Sequence, residues 1–202
     1  MFFEGGANPL SNPDVATVDN TNRLRESFNK LLNSGFEEEK VKIQAEPAYS
    51  ITNVVKIREP NSLLLIDLDG TVDKKAQRIK DNQLLDVQDF VFFMVQMMEA
   101  WILSQPEIIE KVFEYYKIGE AAVKDDDRIL HKDIESIKQP DEVLKIILQR
   151  YFVIEKAGKT KKLKYGKLKH APDLIQNLDI QKLREVFNDV KLMLLKIEEI
   201  SR

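Results

Sequence analysis

The sequence predicts a mainly α protein: a helical bundle-like domain with one small β-hairpin and an extended N-terminal arm. Three observations lead there. The 202 residues carry only 7 Gly and 7 Pro, too few for the many tight turns of an all-β sandwich or barrel. Apolar residues recur at three- and four-residue spacing in several long stretches. Strand-like patterning is concentrated in one short region, 53–73.

Residues 1–18 read as a flexible or partner-docking arm. Gly5, Gly6, Pro9 and Pro13 interrupt any periodicity, and Phe2 and Phe3 place two apolar rings at its tip. The domain proper spans 19–202. Its first helix is expected over 20–33, with cap chemistry at Asp19, Asn20 and Thr21 and a stop at Asn33-Ser34-Gly35. Val54-Val55-Lys56-Ile57, the turn Pro60-Asn61-Ser62 and Leu63 to Leu68 then read as a hairpin. A long helix is expected over 84–104, apolar nearly all round between Phe90 and Met98 and therefore buried or covered by a neighbour. Pro106 and Pro140 open two more helices. The last helix, 179–200, places Ile180, Leu183, Phe187, Val190, Leu194 and Ile197 in about two and a half heptads.

Charge and composition exclude several functions. There is no Cys, hence no disulfide scaffold, thiolate nucleophile or Cys-ligated metal. His131 and His170 are the only histidines and both read as solvated, so no metal site is predicted. No signal peptide opens the sequence and no apolar run reaches the roughly 20 residues that span a bilayer. The expected setting is cytoplasmic, or inside an assembled particle, without membrane contact. The net charge of −3 hides a separation. Seven lysines between 156 and 170 form a basic segment, which Gly158 and Gly166 mark as a loop or a mobile hairpin, whereas the rest of the chain carries −10. Lys159, Lys161, Lys162, Lys164, Lys167 and Lys169 are the candidates for contact with nucleic-acid phosphate or an acidic partner. Gly158-Lys159-Thr160 lacks the earlier Gly of a phosphate-binding loop, since Val153 stands there.

The expected role is a non-enzymatic structural or accessory subunit, in a homo- or hetero-oligomer of protein subunits. An arm-plus-helices design suits a virus or phage particle or its assembly machinery. Phe2, Phe3, Phe92, Trp101, Leu183, Phe187, Val190 and Leu194 are the candidate partner-binding residues, and no cofactor is required.

One segment points elsewhere. Leu63-Leu64-Leu65-Ile66-Asp67-Leu68-Asp69-Gly70-Thr71-Val72 resembles the first motif of the haloacid dehalogenase-like phosphohydrolases, an apolar strand followed by DxDGT. The resemblance implies Mg²⁺-dependent phosphate chemistry, with Asp67 as nucleophile and Asp69 as acid/base. Carboxylates suit Mg²⁺, a hard cation that takes oxygen ligands. Asp-Gly is also a common turn dipeptide, and no further parallel strands are expected downstream. The turn is thus the first reading, with Mg²⁺-dependent phosphohydrolysis and nucleic-acid binding as the two alternatives.

Overall fold

The computed structural model describes residues 1–4, 15–38, 41–42, 44–46 and 62–201. Helices dominate, as the periodicity predicts. The N-terminal helix α1 (Val15–Asn33) buries Leu24, Phe28, Leu31 and Leu32. Asn33 ends it by gripping the next segment: its side chain donates to the Val41 carbonyl and accepts from the Val41 N–H, both at 2.8 Å.

The β structure differs from the expected hairpin. Residues 53–61 lie outside the described set, but Leu64–Asp67 does form a strand and its neighbours are parallel. Strands β1 (Phe2–Glu4), β2 (Gln44–Glu46), β3 (Leu64–Asp67) and β4 (Val91–Met94) form one parallel sheet in the order β2-β1-β3-β4. Two expectations are corrected here. Phe2 and Phe3 do not belong to a free arm; their backbones register with Leu64 and Leu65 inside the sheet. The long helix over 84–104 is broken into a 3₁₀ stretch (Leu85–Phe90), strand β4 and a short helix α3 (Met98–Leu103). A strand covered on both faces has no polar alternation, so its sequence looks like a buried helix.

Both faces of the sheet are covered. Leu64, Ile66, Val91, Phe93 and Val95 face one apolar cluster with Leu84 and Val87, against which Ile79 of helix α2 (Lys75–Asp81) packs. Leu63, Leu65, Phe92 and Met94 face the larger core with the remaining helices. Those are α4 (Pro106–Val112), α5 (Pro140–Tyr151), α6 (Lys167–Ile175), α7 (Ile180–Val186) and α8 (Asn188–Ile200). Trp101 of α3 is fully buried in this core, with the rings of Phe28 and Phe187 each 6.2 Å away. The expected terminal helix divides at Phe187, whose extended backbone separates α7 from α8. Asp179 caps α7 by accepting from the Gln181 and Lys182 N–H groups.

An antiparallel hairpin does exist, within the basic segment read as a loop or a mobile hairpin. Strands β5 (Val153–Lys156) and β6 (Lys159–Lys162) pair around Ala157 and Gly158. Both turn residues have positive φ, 53° and 69°, as the right-handed strand twist demands of a two-residue connection. Asp189 of α8 pins the outer side of β4. It accepts from the Phe93 N–H at 3.0 Å and forms an ion pair with Lys75.

Candidate active site at the carboxyl edge of the sheet

The order β2-β1-β3-β4 has a consequence for function. The chain leaves β1 for one side of the sheet and later returns to build β3 on the other side. The crevice beyond the carboxyl ends of such strands, at the point where the order reverses, is where open α/β sheets bind ligands. Here that point lies between β1, which ends at Glu4, and β3, which ends at Asp67. The parallel pairing therefore puts an acidic residue at the end of each central strand.

Beyond Asp67 the backbone stays tied to β4. Leu68 donates to the Met94 carbonyl at 3.0 Å and Asp69 to the Gln96 carbonyl at 2.7 Å; Gln96 returns a bond to the Gly70 carbonyl at 2.9 Å. To make these bonds, Asp69 and Gln96 both adopt left-handed φ, 54° and 61°. Non-glycine residues held in that region are strained, and such strain gathers at functional sites. Asp69 itself is exposed, with Arg78 3.5 Å from its carboxylate.

Asp67 is largely enclosed. Its Oδ1 accepts from the Met98 N–H at 3.0 Å, and Lys167 Nζ lies 3.4 Å from Oδ2. Burial pushes its pKa from 3.8 up to about 6; the charges of Glu99 and Asp69 add to the rise, and Lys167 and the Met98 N–H only partly oppose it. Glu99, on α3, is 1% exposed. Its Oε1 accepts from the Tyr165 hydroxyl at 3.0 Å, while Lys167 Nζ is 3.9 Å from Oε2. Burial and the neighbouring Glu99 carboxylate push the Tyr165 phenol upward, so it stays protonated. Burial works to lower the Lys167 pKa, but the charges of Asp67 and Glu99 outweigh it and keep the ammonium charged.

The residues expected to bind partners fall elsewhere. Phe92, Trp101, Leu183, Phe187, Val190 and Leu194 are all buried in this chain's own core. These six side chains are therefore covered within one molecule, whereas Val186, Leu192 and Leu195 of the C-terminal helices stay exposed. Lys159, Lys161 and Lys162 are exposed on β6, and Lys164 and Lys169 are exposed beyond it. Lys167 is the one basic-segment residue that reaches Asp67. His131 is exposed, as expected. His170 is buried instead, its Nδ1 accepting from the Gly166 N–H at 2.9 Å, and burial, with the charge of Lys169, lowers its pKa.

Sequence reasoning missed Glu4, Glu99 and Tyr165. Glu99 had a signal of its own, a lone acid inside the apolar run 90–103, as did Tyr165, the single aromatic side chain of the basic strip. Among the described residues, no group of three or more acidic or His side chains is close enough to form a metal cage, and no helix is long and apolar enough to cross a membrane.

A family model matches residues 15–198, and the chain belongs to that family, described as Domain of unknown function (DUF4276). No curated protein and no solved structure matches the chain.

Proposed function

We propose that this protein is a divalent-cation-dependent enzyme that hydrolyses phosphate esters at the carboxyl edge of its parallel sheet. The observation that carries the reading is the place of Asp67: the end of a central strand, at the reversal of strand order, with Asp69 two residues on. Mg²⁺ is commonly held by only one or two carboxylates and completes its shell with water and substrate phosphate oxygens. Asp67 and Asp69 suit that partial set, and a bound ion would supply positive charge to the phosphate oxygens. The net reaction adds water across the P–O bond and releases the alcohol. The DxDGT resemblance assigns the nucleophile to Asp67 and acid/base work to Asp69.

The basic hairpin favours nucleic acid as the phosphate-rich substrate. Lys159, Lys161 and Lys162 are exposed on β6, and the same segment runs on through Lys164 to Lys167 beside Asp67. A backbone held along such a strip gives salt-sensitive binding. We favour this reading over the structural-subunit expectation because Phe92, Trp101, Leu183, Phe187, Val190 and Leu194, named for partner binding, are interior.

The test is release of phosphate or of cleaved product from an aryl phosphate, an aryl phosphodiester and single-stranded DNA, with Mg²⁺ or Mn²⁺. We expect turnover on at least one substrate, abolished by EDTA and by Asp67→Asn. Absence of turnover on all three, or turnover that Asp67→Asn leaves intact, would overturn the proposal. Lys161→Gln with Lys162→Gln should flatten the salt dependence of DNA retention.

A further inference from the structure

The ammonium of Lys167 stands between two carboxylates and is close to neither. Nζ is 3.4 Å from Asp67 Oδ2 and 3.9 Å from Glu99 Oε2. A tight ammonium–carboxylate hydrogen bond measures about 2.7–2.9 Å. The two carboxylates are also unequal. Asp67 has its Oδ1 fixed by the Met98 N–H, which leaves Oδ2 as the oxygen open to a cation. Glu99 has its Oε1 fixed by Tyr165, and its Oε2 is buried without a hydrogen-bond partner. A buried carboxylate oxygen without a donor is costly, so such an atom marks a place where something else is expected to arrive. The nearest charged donor is Lys167, on a side chain 47% exposed and therefore free to shift by the distance required.

We propose that Lys167 is an exchangeable counter-ion, which neutralises Asp67 until a divalent cation takes Oδ2 and then docks on Glu99 Oε2. The inference rests on the reading of Asp67 as a cation ligand. Mg²⁺ binds a carboxylate oxygen at about 2.0–2.1 Å. An ammonium 3.4 Å from the same oxygen would then face a double positive charge at close range. The two cations exclude one another at Oδ2. Glu99 makes the exchange cheap, because the displaced ammonium satisfies an acceptor that is otherwise orphaned. In this scheme Glu99 and Tyr165 are positioning residues and touch no reacting atom. Tyr165 holds one Glu99 oxygen so that the other keeps facing Lys167.

Mn²⁺ titration by calorimetry tests this without any assay of turnover. Lys167→Gln should bind Mn²⁺ about fivefold more tightly than wild type or better, because the competitor is gone. Lys169→Gln removes an equal charge two residues away and should change affinity less than about twofold. Glu99→Gln should weaken binding about fivefold when Lys167 is present, and less than about twofold in the Lys167→Gln background, where no ammonium needs a berth. Thermal melts on each variant check that the fold persists. Unchanged or weaker binding by Lys167→Gln would overturn the exchange, and so would an equal Glu99→Gln effect in both backgrounds, which would make Glu99 a direct ligand. If wild type binds and Asp67→Asn does not, failure of the lysine test leaves the metal reading standing. If neither wild type nor Lys167→Gln binds Mn²⁺, both fall together.

Discussion

Asp67 and Asp126 are both withdrawn from solvent, and their surroundings could hardly differ more. Asp126 has a fully buried side chain, yet it accepts from the Arg128 N–H at 3.0 Å, from Arg128 Nη1 at 3.1 Å and from Arg150 Nη1 at 3.0 Å. Burial works to raise its pKa, but those hydrogen bonds and the two guanidinium charges outweigh it and hold the carboxyl below its usual range. Asp67 receives one backbone bond and one distant ammonium, and its pKa rises to about 6. One is satisfied by its own chain, and its charge is structural. The other is left short of partners at a strand end, which suits the cation-binding role proposed for it.

The widest separation between the two should appear on substitution. Asp67→Asn is expected to lower phosphate-ester turnover on the order of 10³-fold or more while leaving the melting temperature equal to wild type or slightly higher. Asp126→Asn should do the reverse, sparing turnover and losing stability. Parallel turnover assays and thermal melts on the two variants check both statements.

pH sharpens the contrast next. The Asp67 carboxyl binds its proton more tightly in the folded protein, 3.8 against about 6. Stability from this group is therefore full below 3.8 and is lost as pH rises toward 6, by at most about 3 kcal/mol. Asp126 has the opposite sign. Its contribution is full above the unfolded value and is lost as pH falls through its lowered folded value. Urea midpoints between pH 4 and 7 should rise in Asp67→Asn relative to wild type toward pH 7. In Asp126→Asn the deficit should shrink as pH falls below 4.

Smaller effects follow. Asp126→Ala should cost about 2 kcal/mol, since it strands charged donors that are themselves partly exposed. Tyr165→Phe should cost about 1 kcal/mol by removing the donor to Glu99 Oε1. Denaturant titration reads both, and a Tyr165→Phe protein as stable as wild type would mean that Glu99 does not depend on the phenol.

Local periodicity made the helices legible. Leu24, Phe28, Leu31 and Leu32 announce α1, and the spacing from Ile180 to Ile197 announces the C-terminal pair, although nothing in it marks the break at Phe187. The parallel sheet was hidden for two physical reasons. Val91 to Val95 is apolar at every position because both faces are covered, and the β1–β3 pairing joins residues about sixty apart, which no window of sequence can see. The site was half visible. Asp67 and Asp69 stood out as a motif, whereas Lys167 meets Asp67 across one hundred residues and Glu99 becomes notable only once its burial is known.

Asp189 carries one more implication. Among the described residues strand β4 is an edge of its sheet, and an edge strand offers free amides on which another extended chain can add itself. The Asp189 carboxylate already occupies the Phe93 amide on that border and is itself neutralised by Lys75. A side chain from the C-terminal helix thus blocks recruitment of a stray strand, and loss of that carboxylate should be felt as clumping of the protein at high concentration.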